Sequence, residues 1–146
     1  MNETVAVRVD SPDPVAEIGV LTQLGSRPEV VIAGPQGRPA VAVAVLADAG
    51  DDAVAWLRSL RIRTRLPVVV VVGPAEPGAL VRLVEAGACG VLDRVDATAA
   101  RLVRAISLAA AGRGDLPPAL VRHLLDCAGQ RDRDPVTLRD VPGGGS

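Results

Sequence analysis

The sequence predicts an α/β domain: a doubly wound, five-stranded parallel sheet with helices packed on both faces. Three observations predict it. Val68 to Val72 is an unbroken β-branched run closed by Gly73-Pro74, the pattern of a strand buried on both sides, as in a parallel sheet. A short helical pattern follows, with Leu80, Leu83 and Val84 on one face and Gly87 as its stop. A second apolar run, Gly90 to Leu92, comes at once, and strand, helix and strand within about thirty residues make a βαβ unit.

The other elements extend this unit in both directions. Thr4 to Val9 alternates and gives a first strand. Asp13 is placed as the N-cap of a helix with Pro14 at its first position, and Val15, Ile18, Leu21 and Leu24 are expected as its buried face. Glu29 to Ala33 is a second strand and Val41 to Leu46 a third. Gly34-Pro35-Gln36-Gly37-Arg38-Pro39 between them is too short and broken for a helix. A parallel crossover needs about a dozen residues, so the second crossover helix is abbreviated. Asp51 and Asp52 open a helix whose buried face is Val54, Leu57 and Leu60, with Trp56 beside it. After the βαβ unit comes a helix over 97–111 with Asp96 as N-cap, an apolar stripe of Ala99, Leu102, Val103, Ile106 and Ala110, and Gly112 closing it. Leu116-Pro117-Pro118 then restarts the chain into a last helix, 118–128. The expected organisation is a domain over 1–114, a linker or dimerisation helix over 115–129 and a flexible tail over 130–146, where Gln, Arg, Asp, Pro and Gly take over.

Composition narrows the function classes. One Trp with no Phe or Tyr leaves a core of Val, Leu, Ala and Ile, and no stacking platform for single-stranded nucleic acid or sugars. A net charge of −1 supplies no basic field for DNA or RNA. No apolar run approaches the roughly 18 residues of a membrane span. The start lacks a basic segment followed by an apolar one, so the expected location is the cytoplasm. Cys89 and Cys127 form neither a disulfide framework nor a metal set; Cys89 reads as a small core residue.

In a parallel α/β sheet, chemistry gathers where strands end at their carboxyl edge. The candidates there are Asp10, Asp13, Asp48, Gly73, Asp93 and Arg94. Carboxylates from two loops would hold Mg²⁺ and position a phosphoryl group; their plain structural roles would be helix cap for Asp13 and turn residue for Asp48. Gly73-Pro-Ala-Glu-Pro-Gly78 has the position of a phosphate loop but carries Ala79 and Leu80 where Lys and Ser/Thr are required. Gly34 and Gly37 make no dinucleotide fingerprint. His123, the only histidine, has no nucleophile near it in sequence. No catalytic constellation and no metal ligand set is expected.

The segments VVVVVG, LVEAGACGVLDR and AAAGRGDLPPALVRHLL, from Val68 to Leu125, resemble the second half of a receiver domain from response regulators of the LuxR/NarL type. Asp13-Pro14 and its helix extend the match to about residues 4–128. The resemblance implies a flavodoxin-like receiver fold and an aspartyl-phosphate site: an acidic pair after strand one, an acceptor Asp after strand three, Thr/Ser after strand four and Lys on strand five. Here Ser11 and Pro12 stand at the acidic pair, flanked by Asp10 and Asp13. Val45 stands at the acceptor, unless a shortened loop brings Asp48 there. Val72, or Gly73 with a slip of one, replaces Thr/Ser; Arg94 replaces Lys; Val91 replaces the aromatic switch residue. Arg94 keeps the charge but loses the compact ammonium that pairs with an acyl phosphate.

The sequence therefore resembles a pseudo-receiver of the kind that precedes a helix-turn-helix domain in regulators of high-GC actinobacteria, without that domain. The expected role is a non-catalytic, phosphorylation-independent module in transcription regulation, acting by protein–protein contact. The expected partners are a second copy of the chain, with Leu120, Val121, Leu124 and Leu125 as the surface, and a regulator or kinase protein; DNA would be reached only through the missing domain, and no membrane contact is expected. Val136 to Val141 lies where the approach to that domain would be. Two alternatives are a small-ligand sensor in a crevice lined by Asp10, Asp48, Gly73 and Arg94, and a phosphoacceptor using Asp48. No cofactor is expected in the first two readings, and Mg²⁺ only in the last.

Overall fold

A computed structural model describes residues 4–34 and 36–133. Five strands form one parallel sheet in the order β2-β1-β3-β4-β5: β1 Val5–Asp10, β2 Val30–Ile32, β3 Val41–Leu46, β4 Val68–Val72 and β5 Ala88–Asp93. The helices are α1 Pro14–Gly25, α2 Asp51–Thr64, α3 Pro77–Glu85, α4 Ala99–Ala110 and α5 Pro118–Arg133, with a 3₁₀ turn at Arg94–Asp96.

The central strands β3 and β4 are buried along their whole length, as their unbroken Val, Ala and Leu runs require. Alternate residues divide between two cores. Val43, Val45, Val69 and Val71 face α1 and α4, together with Val20, Leu24, Leu102 and Ile106. Ala42, Ala44, Leu46, Val70 and Val72 face the other layer, with Leu57, Leu60 and Leu83.

Register accounts for the missing crossover helix. Ile32 at the end of β2 and Val41 at the start of β3 both pair with Val7, from opposite sides of β1. The connection need only cross two strand spacings, about 9.5 Å, rather than return along a full strand. Residues 33–40 do so, tied to β1 by Ala33 N–H to Val7 O (2.7 Å) and Ala40 N–H to Ala6 O (2.7 Å).

Four local expectations are corrected. On α1 the buried residues are Val20 and Leu24, while Val15 is 76% and Ile18 60% exposed. Positions three apart advance 300°, so a 15-18-21-24 series drifts by half a turn and cannot hold one face. The cap of α4 is Thr98, whose Oγ1 accepts from Arg101 N at 3.2 Å, and Asp96 belongs to the preceding 3₁₀ turn. On the same helix Ala110 is exposed, and Ala105 and Ala109 complete the buried stripe. Helix α5 continues to Arg133, past residue 130 at which the tail was expected to begin. The rest of that tail, with Val136 to Val141, lies outside the described residues, as does the side chain of Cys127.

The linker joins the sheet before α5 starts. Asp115 pairs with Gly90 as an isolated parallel bridge, with Asp115 N–H to Cys89 O and Val91 N–H to Asp115 O both at 3.0 Å. Helix α5 then packs on α3, and Leu120 is buried in the core at 1% exposure, with Leu124 partly buried against it. The placement of Leu120 and Leu124 on an outward dimer surface is thereby corrected: they seat α5 on its own domain. Val121 and Leu125 (66%) remain exposed.

Candidate functional site: the carboxyl edge of the sheet

Strands β1, β3, β4 and β5 bring Asp10, Leu46, Val72 and Asp93 to one edge. The two residues aligned with the phosphoryl chemistry, Val45 and Val72, are each 1% exposed and belong to the two cores. A valine at the acceptor position offers no nucleophile.

Its backbone surroundings are closed by hydrogen bonds. Ser11 Oγ donates to Val45 O at 2.7 Å and accepts from Asp13 N at 3.0 Å, so it ties the β1–α1 turn to β3. The Leu46 carbonyl accepts from the Arg94 guanidinium and from Gly73 N–H, both at 3.2 Å. Arg94 thus reaches from the end of β5 across the end of β4. Gly73 follows from the same crowding, since a Cβ there would lie 2.4 Å from Ala47 O. Backbone from the β3–α2 loop thus packs directly against Gly73.

The carboxylates are engaged elsewhere. Asp10 takes both Nε and a terminal nitrogen of Arg8, at 2.7 and 2.9 Å, and this bond is the main cause that raises the Arg8 pKa above its ordinary value. Asp13 caps α1 by accepting from Val15 N at 3.0 Å. Asp48 is exposed and accepts from Gly50 N at 2.8 Å, shaping the turn into α2. Asp93 accepts from Val95 N at 2.9 Å. A receiver's Mg²⁺ needs several carboxylate and carbonyl oxygens aimed at one point. These residues do not fit it: among the described residues no group of three or more His, Cys, Asp or Glu comes together.

The four residues expected to line one crevice do not converge. Asp10 borders a cleft beside residues 34 and 37, and Asp48 a depression with Trp56. Gly73 lines a cavity with Leu80, and Arg94 one with Val15. The single crevice is corrected to four separate depressions, of which the one beside Arg94 also reaches Val45. Sequence reading missed the roles of Ser11 and Arg94 as partners of the Val45 and Leu46 carbonyls. Its only signal was their position: a hydroxyl that can donate stands where the family uses a carboxylate acceptor, and a longer, planar guanidinium stands where it uses a compact ammonium.

No family model and no curated protein matches the sequence. Solved structures do match the fold. The isolated receiver domain of RcsB from Salmonella enterica serovar Typhimurium, apo form, superposes with a TM-score of 0.68 at 16% identity, over 83% of this chain and 98% of that one. A LuxR-family two-component response regulator from Aurantimonas sp. SI85-9A1 gives 0.67 at 18% identity, over 85% and 97%. The NarL signal receiver domain from Mycobacterium tuberculosis gives 0.57 at 25% identity, over 76% and 99%. The chain has the flavodoxin-like receiver fold of response regulators, with no helix among the described residues between β2 and β3.

Proposed function

We propose that the chain is a receiver-like signalling module of a LuxR/NarL-type transcription regulator that operates without aspartyl phosphorylation and acts by protein–protein contact. The observation that carries this reading is the pair of β3 carbonyls, Val45 O and Leu46 O, held by Ser11, Arg94 and Gly73 around the residue that the resemblance aligns with the phosphoacceptor. A phosphoryl group would have to break these bonds, displace Ala47, and find an acceptor other than valine. The carboxylate nearest in sequence, Asp48, is committed to Gly50.

The partner in this reading is a second copy of the chain, with a regulator or kinase protein as an upstream contact. RcsB is described as dimers bound to DNA, a state consistent with a receiver fold that assembles. Val121 and Leu125 on α5 are the part of the expected surface still exposed to a partner. With a net charge of −1, DNA contact would belong to a helix-turn-helix domain accompanying the module. A cytoplasmic location goes with this role; among the described residues no helix is long and apolar enough to cross a membrane.

Incubation with acetyl phosphate and Mg²⁺, read by intact mass beside light scattering, tests both halves. The expected result is an unchanged mass, with a dimer that dissociates in Val121→Glu/Leu125→Glu. A phosphate adduct lost in Asp48→Ala overturns phosphorylation independence, and a concentration-independent monomer overturns the homodimer.

A further inference from the structure

A cavity of about 360 Å³ opens between the ends of β4 and β5, the start of α3 and the Pro117-Pro118 entry to α5. Gly73 forms part of its lining, with the Ala47 carbonyl packed against that glycine. Its volume is in the range of small-ligand sites, about 300–1,000 Å³. Val72, Val91 and Leu92 line it and are themselves at most 2% exposed, while Leu80 and Pro117 add further apolar lining.

Three charged side chains also line it: Asp93, Asp96 and Arg101. The ion pairs among the described residues are Arg8–Asp10, Arg27–Glu29 and Arg82–Asp51, and these three residues enter none of them. Asp93 spends one carboxylate oxygen on Val95 N–H, and among the described residues no side-chain hydrogen bond engages Asp96 or the Arg101 guanidinium. Apolar walls with uncommitted charges of both signs complement a ligand carrying an ammonium and a carboxylate on an apolar body.

We propose that this cavity is a binding site for a small apolar zwitterion, of the class of apolar α-amino acids, held by Arg101 at its carboxylate and by Asp93 and Asp96 at its ammonium. Pro117 lies two residues beyond Asp115, which is bonded to β5, and its carbonyl accepts from Leu120 N and Val121 N in the first turn of the helix anchored by Leu120. Occupancy therefore bears directly on how α5 is seated, which gives the module an input independent of phosphate. The inference goes beyond the assembly reading and does not depend on dimer formation.

Calorimetric titration of the full chain with L-leucine and L-phenylalanine tests it, with 3-methylbutylamine and 4-methylpentanoate as single-charge controls. The expected result is saturable binding of at least one amino acid, weakened about tenfold or more for each control, the loss of one charged contact. Arg101→Gln and Asp96→Asn should each weaken amino-acid binding while leaving the circular dichroism spectrum unchanged. Leu80→Trp, which fills the cavity from a partly exposed position, should abolish it in a folded chain. No saturable binding of either amino acid, binding that survives Leu80→Trp, or binding indifferent to Arg101→Gln overturns the proposal.

Discussion

Gly73 stands at the position where receivers carry a small hydroxyl residue, counted with a slip of one, and the reason is steric. The Ala47 carbonyl lies so close that a methyl group at Gly73 would meet it at 2.4 Å, and both partners are backbone. Gly73→Ala is therefore expected to cost about 1–3 kcal/mol, as for overpacking of a fixed core. A melting temperature lowered by roughly 3–10 °C is the corresponding reading in a chain of this size. An unchanged melting temperature would mean that the β3–α2 loop yields freely and that the site is not closed.

Cys89 gives a second prediction at this scale. Burial, the largest influence on it, pushes its thiol pKa up, and the thiol donates to the Val68 carbonyl at 3.4 Å. The folded chain then holds the neutral thiol at a pH where the unfolded chain, near 8.5 by ordinary values, has begun to ionise. Stability from this group is complete below the unfolded value and declines as pH rises above it. Alkylation of a Cys127→Ser variant by iodoacetamide at pH 8.5 should be slower in buffer than in urea. Equal rates would show that β5 opens readily at that position.

Elements differ in how far their sequence discloses them. β3, β4 and the Val54/Leu57/Leu60 face of α2 were legible because each is saturated with apolar residues at the period of its own structure. The inner face of α1 was not: exposed Val15 and Ile18 share the helix with buried Val20 and Leu24, so composition does not separate the two sides. Helix α5 was legible as a helix, but its amphipathic stripe cannot say whether the apolar side meets its own domain or another copy. The structure assigns Leu120 and Leu124 to α3 and the core beside it. Leu120→Ala should accordingly cost about 2–5 kcal/mol, the penalty for truncating a buried leucine. Leu125→Ala should stay within about 0.5 kcal/mol in the isolated chain. Urea unfolding followed at two protein concentrations checks this; a Leu120→Ala loss that vanishes on dilution would return that residue to an interface. The carboxyl-edge site was legible only as a set of departures, since which donors replace the missing groups depends on two side chains, Ser11 and Arg94, and the Gly73 N–H meeting from beyond the ends of three strands.

At the scale of the whole molecule, the sheet keeps its order without the helix that normally joins its second and third strands. This is possible because β2 is only three residues long and ends level with the start of β3, both opposite Val7. The outer strand is left partly uncovered: Val31 is 51% exposed, and a cleft of about 410 Å³ lies beside Arg8, Asp10 and residues 34 and 37. If the connection over 33–40 were under tension, or if β2 needed a covering helix, lengthening the loop would loosen the edge. The register argues otherwise, because the ends already meet across two strand spacings and are fixed by the Ala33 and Ala40 bonds to β1. Inserting Gly-Ser-Gly between Gly37 and Arg38 should then cost under about 1 kcal/mol, as loop-closure entropy grows only slowly with length. The same insertion between Ala47 and Asp48 should be far more damaging, since it would lift the carbonyl that packs on Gly73 and unseat the partners of Ser11 and Arg94. Denaturant midpoints of the two insertion variants decide the matter. A first variant as unstable as the second would mean that the short crossover is itself a strained part of the fold, and that removing a helix carries a structural cost that β1 alone does not absorb.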